Sequence, residues 1–162
     1  MTGAAYLCSK TALRSGSGIV TLGIPESLNP VMEVKLTCVM TRPLPETKAS
    51  TLSNKARKEI MKLCEAHDVV ALGPGLSQQP ETRGLILWLI KNIDRDIVID
   101  ADGLNALTDN VSVLHKIKKK RGINTPSRRD VTLNRPWFGK GCAKREAEHG
   151  YAVCSINPEK IE

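Results

Sequence analysis

The 162-residue sequence lacks the features that mark several classes of protein. No apolar run approaches the roughly 18 residues of a membrane-spanning helix, and the first residues lack the basic-then-apolar layout of a signal peptide. The five cysteines form no Cys-x-x-Cys pair, and the three histidines have no metal-ligand spacing, which argues against a disulfide framework or a zinc site. A Ser-His-Asp nucleophile pattern is also absent. We therefore expect a reduced, cytoplasmic protein outside the membrane, with no bound metal held by such a cluster.

Positive charge is concentrated in one short run. The formal net charge is +7, and residues 116–121 (KIKKKR) hold five positive and no negative charges, which leaves +2 for the rest of the chain. No aromatic side chains are interleaved with this run, as they are in single-strand binding proteins. We expect a solvated basic segment rather than a nucleic-acid site. A phosphate-bearing ligand nearby remains an open interpretation.

Short apolar runs alternate with segments of helical periodicity. Strands are expected at residues 19–22, 38–41, 68–72 and 97–99, and helices at residues 3–14, 54–66, 81–93 and 102–107, with a shorter helix ending at Leu36. In this scheme Thr2 and Asn54 are N-caps, residues 23–25 form a turn, and Arg42 and Pro43 end the second strand. The alternation predicts a parallel sheet covered by helices on both faces.

Two motifs follow the third and fourth predicted strands. Gly73-Pro74-Gly75-Leu76 allows positive φ and close approach of a ligand to the backbone, although a purely structural turn explains it equally well. Asp100-Ala101-Asp102-Gly103-Leu104-Asn105 places two carboxylates at the next strand end, where they can bind sugar hydroxyls or a metal–water cluster, or orient a base. Asp102 can also act as a helix N-cap. Ligands of open α/β sheets bind at this edge.

These motifs belong to an ordered set. TGAA, ALRSGSGIVTL, IPESLNP, VVALGPGL and DADGLNAL follow one another within residues 1–117. The set resembles the carbohydrate-kinase-like NAD(P)H-hydrate dehydratases, which repair nicotinamide nucleotides. The resemblance implies that residues 1–122 form a partial ribokinase-like domain, a three-layer α/β/α fold with a mainly parallel sheet.

The resemblance also implies an activity and a set of site residues. The activity is dehydration of the S epimer of hydrated NADH or NADPH, driven by ADP or ATP with Mg²⁺, in which phosphoryl transfer converts the hydroxyl into a better leaving group. A homo-oligomer is an accompanying expectation. By motif, the expected substrate-binding residues are Ala4, Gly75, Asp100, Asp102 and Asn105, with Gly73 near the phosphates.

The chain departs from the family pattern at both ends. Members normally have a strand and a glycine-rich loop before TGAA, whereas Met1 directly precedes Thr2 here. Members also have a His-Pro-Gly-Glu segment, a lysine-glycine nucleotide site and a Gly-Thr-Gly-Asp loop whose aspartate is the catalytic base, and these segments are absent from the printed sequence. The resemblance therefore assigns no catalytic residue to this chain, and we expect a fragment with little or no activity.

Residues 123–162 form an atypical tail without sustained periodicity. Thr125-Pro126 fits the Thr-Pro that precedes His-Pro-Gly-Glu in the family. Codons for residues 126–135 can be chosen that, read one base later, encode His-Pro-Gly-Glu-Met-Ser-Arg-Leu-Ile. One hypothesis is that a base was lost in the Pro126 codon, which would leave residues 127–162 out of frame. A disordered tail is the alternative.

Other functions remain open at this point. The same fold would suit a fragment of a ribokinase-like small-molecule kinase, which a sugar-binding lid and a different acidic motif would distinguish. A non-catalytic nucleotide-binding remnant would bind NADPH or ADP without turnover. A nucleic-acid module depends on residues 116–121 alone and would require salt-dependent binding.

Overall fold

A computed structural model describes residues 2–108, 110–116, 122–123 and 154–157. The helices are α1 (Thr2–Arg14), α2 (Asn29–Lys35), α3 (Arg57–Glu65), α4 (Pro80–Asn92) and α5 (Asp102–Leu107), with 3₁₀ turns at Glu26–Leu28, Asn54–Ala56 and Val111–Lys116. The strands are β1 (Ile19–Pro25), β2 (Met40–Leu44), β3 (Val69–Leu72), β4 (Asp96–Ile99), β5 (Gly122–Ile123) and β6 (Cys154–Asn157). The expected alternation of strands and helices is confirmed.

The six strands form one sheet in the order β2-β1-β6-β3-β4-β5. Parallel pairs join β1 to β2, β3 to β4, and β4 to β5. Strand β6 is antiparallel to both of its neighbours, β1 and β3. Strands β1 and β3 consequently run in the same direction, and their carboxyl ends lie at the same edge of a mainly parallel sheet, as the sequence predicts.

Helices cover both faces of this sheet. In β3, Val70 and Leu72 belong to a core shared with α3, α4 and α5, whereas Ala71 belongs to a second core shared with α1 and α2. Successive side chains of a strand point to opposite faces, so these two cores lie on opposite sides of the sheet. This arrangement confirms the three-layer α/β/α fold. No helix within the described residues has the length and apolar character needed to cross a membrane.

The turn predicted at residues 23–25 and the strand end predicted at Arg42 and Pro43 are both wrong. Gly23 and Pro25 lie inside β1, and Arg42 and Pro43 lie inside β2, with Gly23 paired to Arg42. A Cβ at position 23 would lie 2.8 Å from Leu44 Cδ1, so glycine here permits close packing within the sheet. The missing N–H of Pro43 is tolerated because β2 is an edge strand.

Both predicted N-caps also differ in the structure. Thr2 is the first residue of α1 rather than the residue before it. At the next site the Ser53 side chain, not Asn54, accepts a hydrogen bond from the Lys55 N–H, and it caps a 3₁₀ turn that leads into α3. Residues 117–121, 124–153 and 158–162 lie outside the described residues, so the basic run beyond Lys116 is not described. Of the hypothesised out-of-frame segment, residues 127–162, only β6 (Cys154–Asn157) is described.

Candidate functional site

A cleft opens at the carboxyl edge of the sheet, between the ends of β1 and β3. It is lined by the first turn of α1 through Thr2 and Ala5, by the end of β1, by residues 50–52, and by residues 74–77. None of the described residues that line it carries an ionisable side chain. The cleft can therefore bind an uncharged part of a ligand through hydroxyl, peptide and apolar groups, but these residues supply no side chain for proton transfer.

The two glycines of the GPGL motif have different roles. Gly75 has φ +78° and lines the cleft, where the absence of a side chain leaves room for a ligand. Gly73 has φ +141°, and a Cβ at this position would overlap the carbonyl oxygen of Asp100 and lie 3.0 Å from the Gly103 nitrogen. Gly73 is thus required for the packing of the motif against the start of α5, and it does not line the cleft.

The Asp102 carboxylate holds the loop that contains Gly75. Its Oδ2 atom accepts a hydrogen bond from the Ser77 N–H at 2.8 Å, and its Oδ1 atom accepts weaker bonds from Gln78 Nε2 and Asn105 Nδ2, both at 3.4 Å. The suggested N-cap role is wrong, since the cap of α5 is Ala101 and its side chain makes no capping bond. Asp102 instead joins the loop after β3 to the helix after β4.

Asp100 supports the same junction from inside the fold. Its side chain is 3% exposed, its N–H donates to the Leu72 carbonyl at 3.1 Å, and its carbonyl accepts the Gly103 N–H at 2.9 Å. The next residue, Ala101, has φ +44°, which is uncommon for a residue with a Cβ. Such strain persists where the surrounding contacts over-determine the backbone, and it is frequent at functional sites.

The structure therefore divides the six residues expected from the sequence. Gly75 lines the cleft. Gly73, Asp100, Asp102 and Asn105 form a cluster that supports the Gly75 loop and do not line the cleft themselves. Ala4 lies in the first turn of α1, where its neighbours Thr2 and Ala5, rather than Ala4, line the cleft.

Sequence reasoning missed residues 50–52, which form another part of the cleft wall. They lie in a segment with neither helical nor strand periodicity, for which the sequence predicts no element. The structure gives this segment an isolated bridge between Glu46 and Leu52, and Ser50 has φ +52°. The local signal for a turn here is the presence of several Ser and Thr residues. Their side chains can hydrogen-bond to nearby backbone groups and so favour turns.

No cluster suitable for a metal is found in the part of the chain that the structure describes. There, no three His, Cys, Asp or Glu side chains come together in a way that could hold an ion. A shift in acidity is found in the core beside β3, at Cys64. Burial raises the pKa of the Cys64 thiol to about 11, against a partial lowering by the Arg95 charge. Cys64 therefore stays a neutral thiol at physiological pH.

Comparison with known proteins identifies the motif set. Residues 1–132 match the family model described as NAD(P)H-hydrate dehydratase. A bifunctional NAD(P)H-hydrate repair enzyme of Moorella thermoacetica is 40% identical over 114 residues, which are 70% of this chain and 22% of the relative. The corresponding enzyme of Thermofilum pendens is 34% identical over 105 residues, 65% of this chain and 20% of the relative.

A plant relative carries a more specific name. An ATP-dependent (S)-NAD(P)H-hydrate dehydratase of Vitis vinifera is 28% identical over 123 residues, 70% of this chain and 35% of the relative. The chain thus spans about a fifth to a third of the length of these relatives. The matched region contains both the TGAA and the DADGLN motifs.

Proposed function

This chain belongs to the NAD(P)H-hydrate dehydratase family, and we propose that its described residues form the substrate-binding side of an ATP-dependent dehydratase acting on hydrated NADH or NADPH. One observation carries the proposal. The first turn of α1 and the Gly75 loop, which contain two motifs distant in sequence, meet in a single cleft at the carboxyl edge of the sheet. That edge is where ligands bind in open α/β folds.

In this proposal the residues of the two motifs bind and orient the substrate in different ways. Gly75 contacts the ligand directly, since it lines the cleft and has no side chain. The first turn of α1 offers backbone N–H groups to a phosphate or to the amide carbonyl of the dinucleotide. Thr2 and Ala5 of this turn line the cleft, and Ala4 lies beside them as a second small residue. Asp102 and Asn105 act on the substrate indirectly by holding the loop of Ser77 and Gly75 in place.

The described residues provide binding without acid–base catalysis. Elimination of the hydroxyl requires a group that removes a proton, and such a base must lie within hydrogen-bond reach of it. No ionisable described side chain lines the cleft. ATP or ADP, when bound, would supply the phosphoryl group that improves the leaving group. The described residues do not fit a Mg²⁺ site of their own, since no acidic cluster of suitable composition is present among them.

Binding and turnover should therefore separate in the purified chain. We expect saturable binding of the S epimer of hydrated NADPH by isothermal titration calorimetry. We also expect no recovery of NADPH absorbance at 340 nm after addition of ATP or ADP. Gly75→Val should weaken binding, because it adds a branched side chain in the cleft at φ +78°, where β-branched residues are strained. The matched variant Gly84→Ala, on the exposed side of α4, should bind like the parent.

Two results would contradict the proposal. A folded parent chain that does not bind hydrated NADPH would remove the assignment of the cleft. Robust turnover would show that a base reaches the substrate, against the composition of the cleft wall. The relatives favour this reaction over that of a ribokinase-like kinase, because their names specify NAD(P)H-hydrate repair. Homo-oligomeric assembly and a cytoplasmic location stay predictions.

A further inference from the structure

A second segment lines the cleft without belonging to any motif. Residues 50–52 are wall residues beside the Gly75 loop, and their side chains are uncharged. We propose that this segment is a second ligand-binding wall, which contacts the neutral ribose and hydrated nicotinamide ring of the substrate, and that Thr82 behind it is the positioning residue that sets its place. This inference depends on the proposed function, since it takes hydrated NADPH as the ligand.

The Thr82 hydroxyl is built into the back of this wall. Thr82 lies in the first turn of α4, is 0% exposed, and its Oγ1 atom is 2.9 Å from both the Leu52 carbonyl oxygen and Thr51 Oγ1. A carbonyl oxygen can only accept, so the single hydroxyl proton of Thr82 goes to Leu52 and the Thr51 hydroxyl serves as the other partner. Thr51 Oγ1 also lies 2.8 Å from Thr47 Oγ1. The wall is therefore fixed to α4 by a chain of buried and half-buried hydroxyls.

The same turn of α4 also connects to the Gly75 side of the cleft. The Gln79 side chain accepts the Thr82 N–H at 3.0 Å, and the Gln79 N–H donates to Ser77 Oγ at 3.3 Å. The Ser77 N–H in turn donates to Asp102 at 2.8 Å. Residues 50–52 and the Gly75 loop are both hydrogen-bonded to the first turn of α4. This turn therefore sets the distance between the two sides of the cleft, and the ligand must fit that distance.

The outer end of the wall is held by a second set of contacts. The Glu46 carboxylate accepts hydrogen bonds from the Ser27 hydroxyl at 2.7 Å and from the Ser27 N–H at 3.2 Å. Ser27 Oγ also lies 3.4 Å from Ser50 Oγ, and Ser50 itself has φ +52°. A polar residue with positive φ at the edge of a cleft is frequent at binding sites. Because this wall has no charge, it suits the neutral part of the dinucleotide better than its phosphates.

The test compares substitutions at Thr82 with a matched exposed threonine. Thr82→Val keeps the shape of the side chain but removes the hydroxyl, and we expect it to raise the Kd for the S epimer of hydrated NADPH about 10-fold. Thr82→Ser restores the hydroxyl and should return the Kd to within roughly 3-fold of the parent. Thr37→Val, at an exposed site, should leave the Kd unchanged. Backbone amides of residues 50–54 should exchange faster in Thr82→Val alone.

A second variant tests the wall if Thr82→Val fails to fold. Ser50→Asp places a negative charge on the exposed residue 50 of this wall and should also weaken binding about 10-fold. Aspartate tolerates the positive φ at this position, so the chain should stay folded. A parent chain that does not bind would overturn the proposed function itself. A parent chain that binds, together with a folded Thr82→Val or Ser50→Asp variant of unchanged Kd, would overturn this inference alone.

Discussion

Adding one methyl group at position 73 should strongly destabilise the fold. Gly73 has φ +141°, and the Cβ of Gly73→Ala would overlap the Asp100 carbonyl oxygen and lie 2.7 Å from its carbon and 3.0 Å from the Gly103 nitrogen. These are backbone atoms, so no side-chain rotation relieves the contact. The backbone conformation costs about 1–3 kcal/mol for a residue with a Cβ, and overpacking adds about 1–3 kcal/mol. The expected loss of about 2–6 kcal/mol is large beside a total stability of about 5–15 kcal/mol.

Urea unfolding followed by circular dichroism measures this loss. The matched control is Gly84→Ala, since Gly84 lies within α4 and a Cβ there meets no atom within 4 Å. That variant should gain about 0.5–1 kcal/mol from the higher helix propensity of alanine. An ordinary substitution changes the free energy of unfolding by about 1 kcal/mol. If the value for Gly73→Ala lies within that range of the parent value, the close approach between the GPGL motif and the DADGLN motif is wrong.

Three further predictions test the supporting structure. Burial raises the pKa of the Cys64 thiol from 9.0 to about 11, so the thiol ionises in the unfolded chain before it does in the folded chain. The free energy of unfolding should therefore fall by about 2 kcal/mol between pH 9 and 11, and an equal fall in a Cys64→Ala variant would contradict this. Arg95→Ala removes donors to the Cys64 and Glu65 carbonyls, at 3.2 and 2.8 Å, and should cost about 1–2 kcal/mol in urea unfolding, whereas no loss would show that water replaces them. Asp102→Asn should speed amide exchange at Ser77 about 10-fold, since a neutral acceptor is weaker, and unchanged exchange would mean that this bond does not hold the loop.

Elements with a strong local signal were predictable from the sequence. Helix α5 has the predicted bounds, residues 102–107, and β3 and β4 begin within one residue of expectation. Strands β3 and β4 contain the apolar runs VVAL and IVI, which are typical of parallel strands buried on both faces. Helix α5 follows β4 directly and begins at the acidic residue Asp102. The pairing of the GPGL and DADGLN motifs at one sheet edge also followed from the order of strands and helices.

Elements that depend on distant partners were not predictable in the same way. Residues 23–25 carry turn-forming glycine and proline, yet they form the end of β1 because β2 pairs beside them and Leu44 packs against Gly23. Likewise, Arg42 and Pro43 extend β2 because an edge strand tolerates proline. Local propensity is a weak predictor in both places, since cross-strand pairing outweighs it.

The sequence by itself determined the fold class, the family and the sheet edge that carries the site, because hydrophobic periodicity and ordered motifs are local properties of the chain. Only the tertiary structure decided which residues line the cleft and which support it. From the sequence, the Asp102 carboxylate could equally bind a ligand or cap a helix. In the structure it accepts a hydrogen bond from the Ser77 N–H at 2.8 Å and so holds the Gly75 loop. Residues 50–52 lack any periodic pattern, and their place in the cleft arises from the Thr82 hydroxyl across a long sequence separation. A hydrogen bond of this kind depends on the packing of distant segments, which a local pattern does not encode.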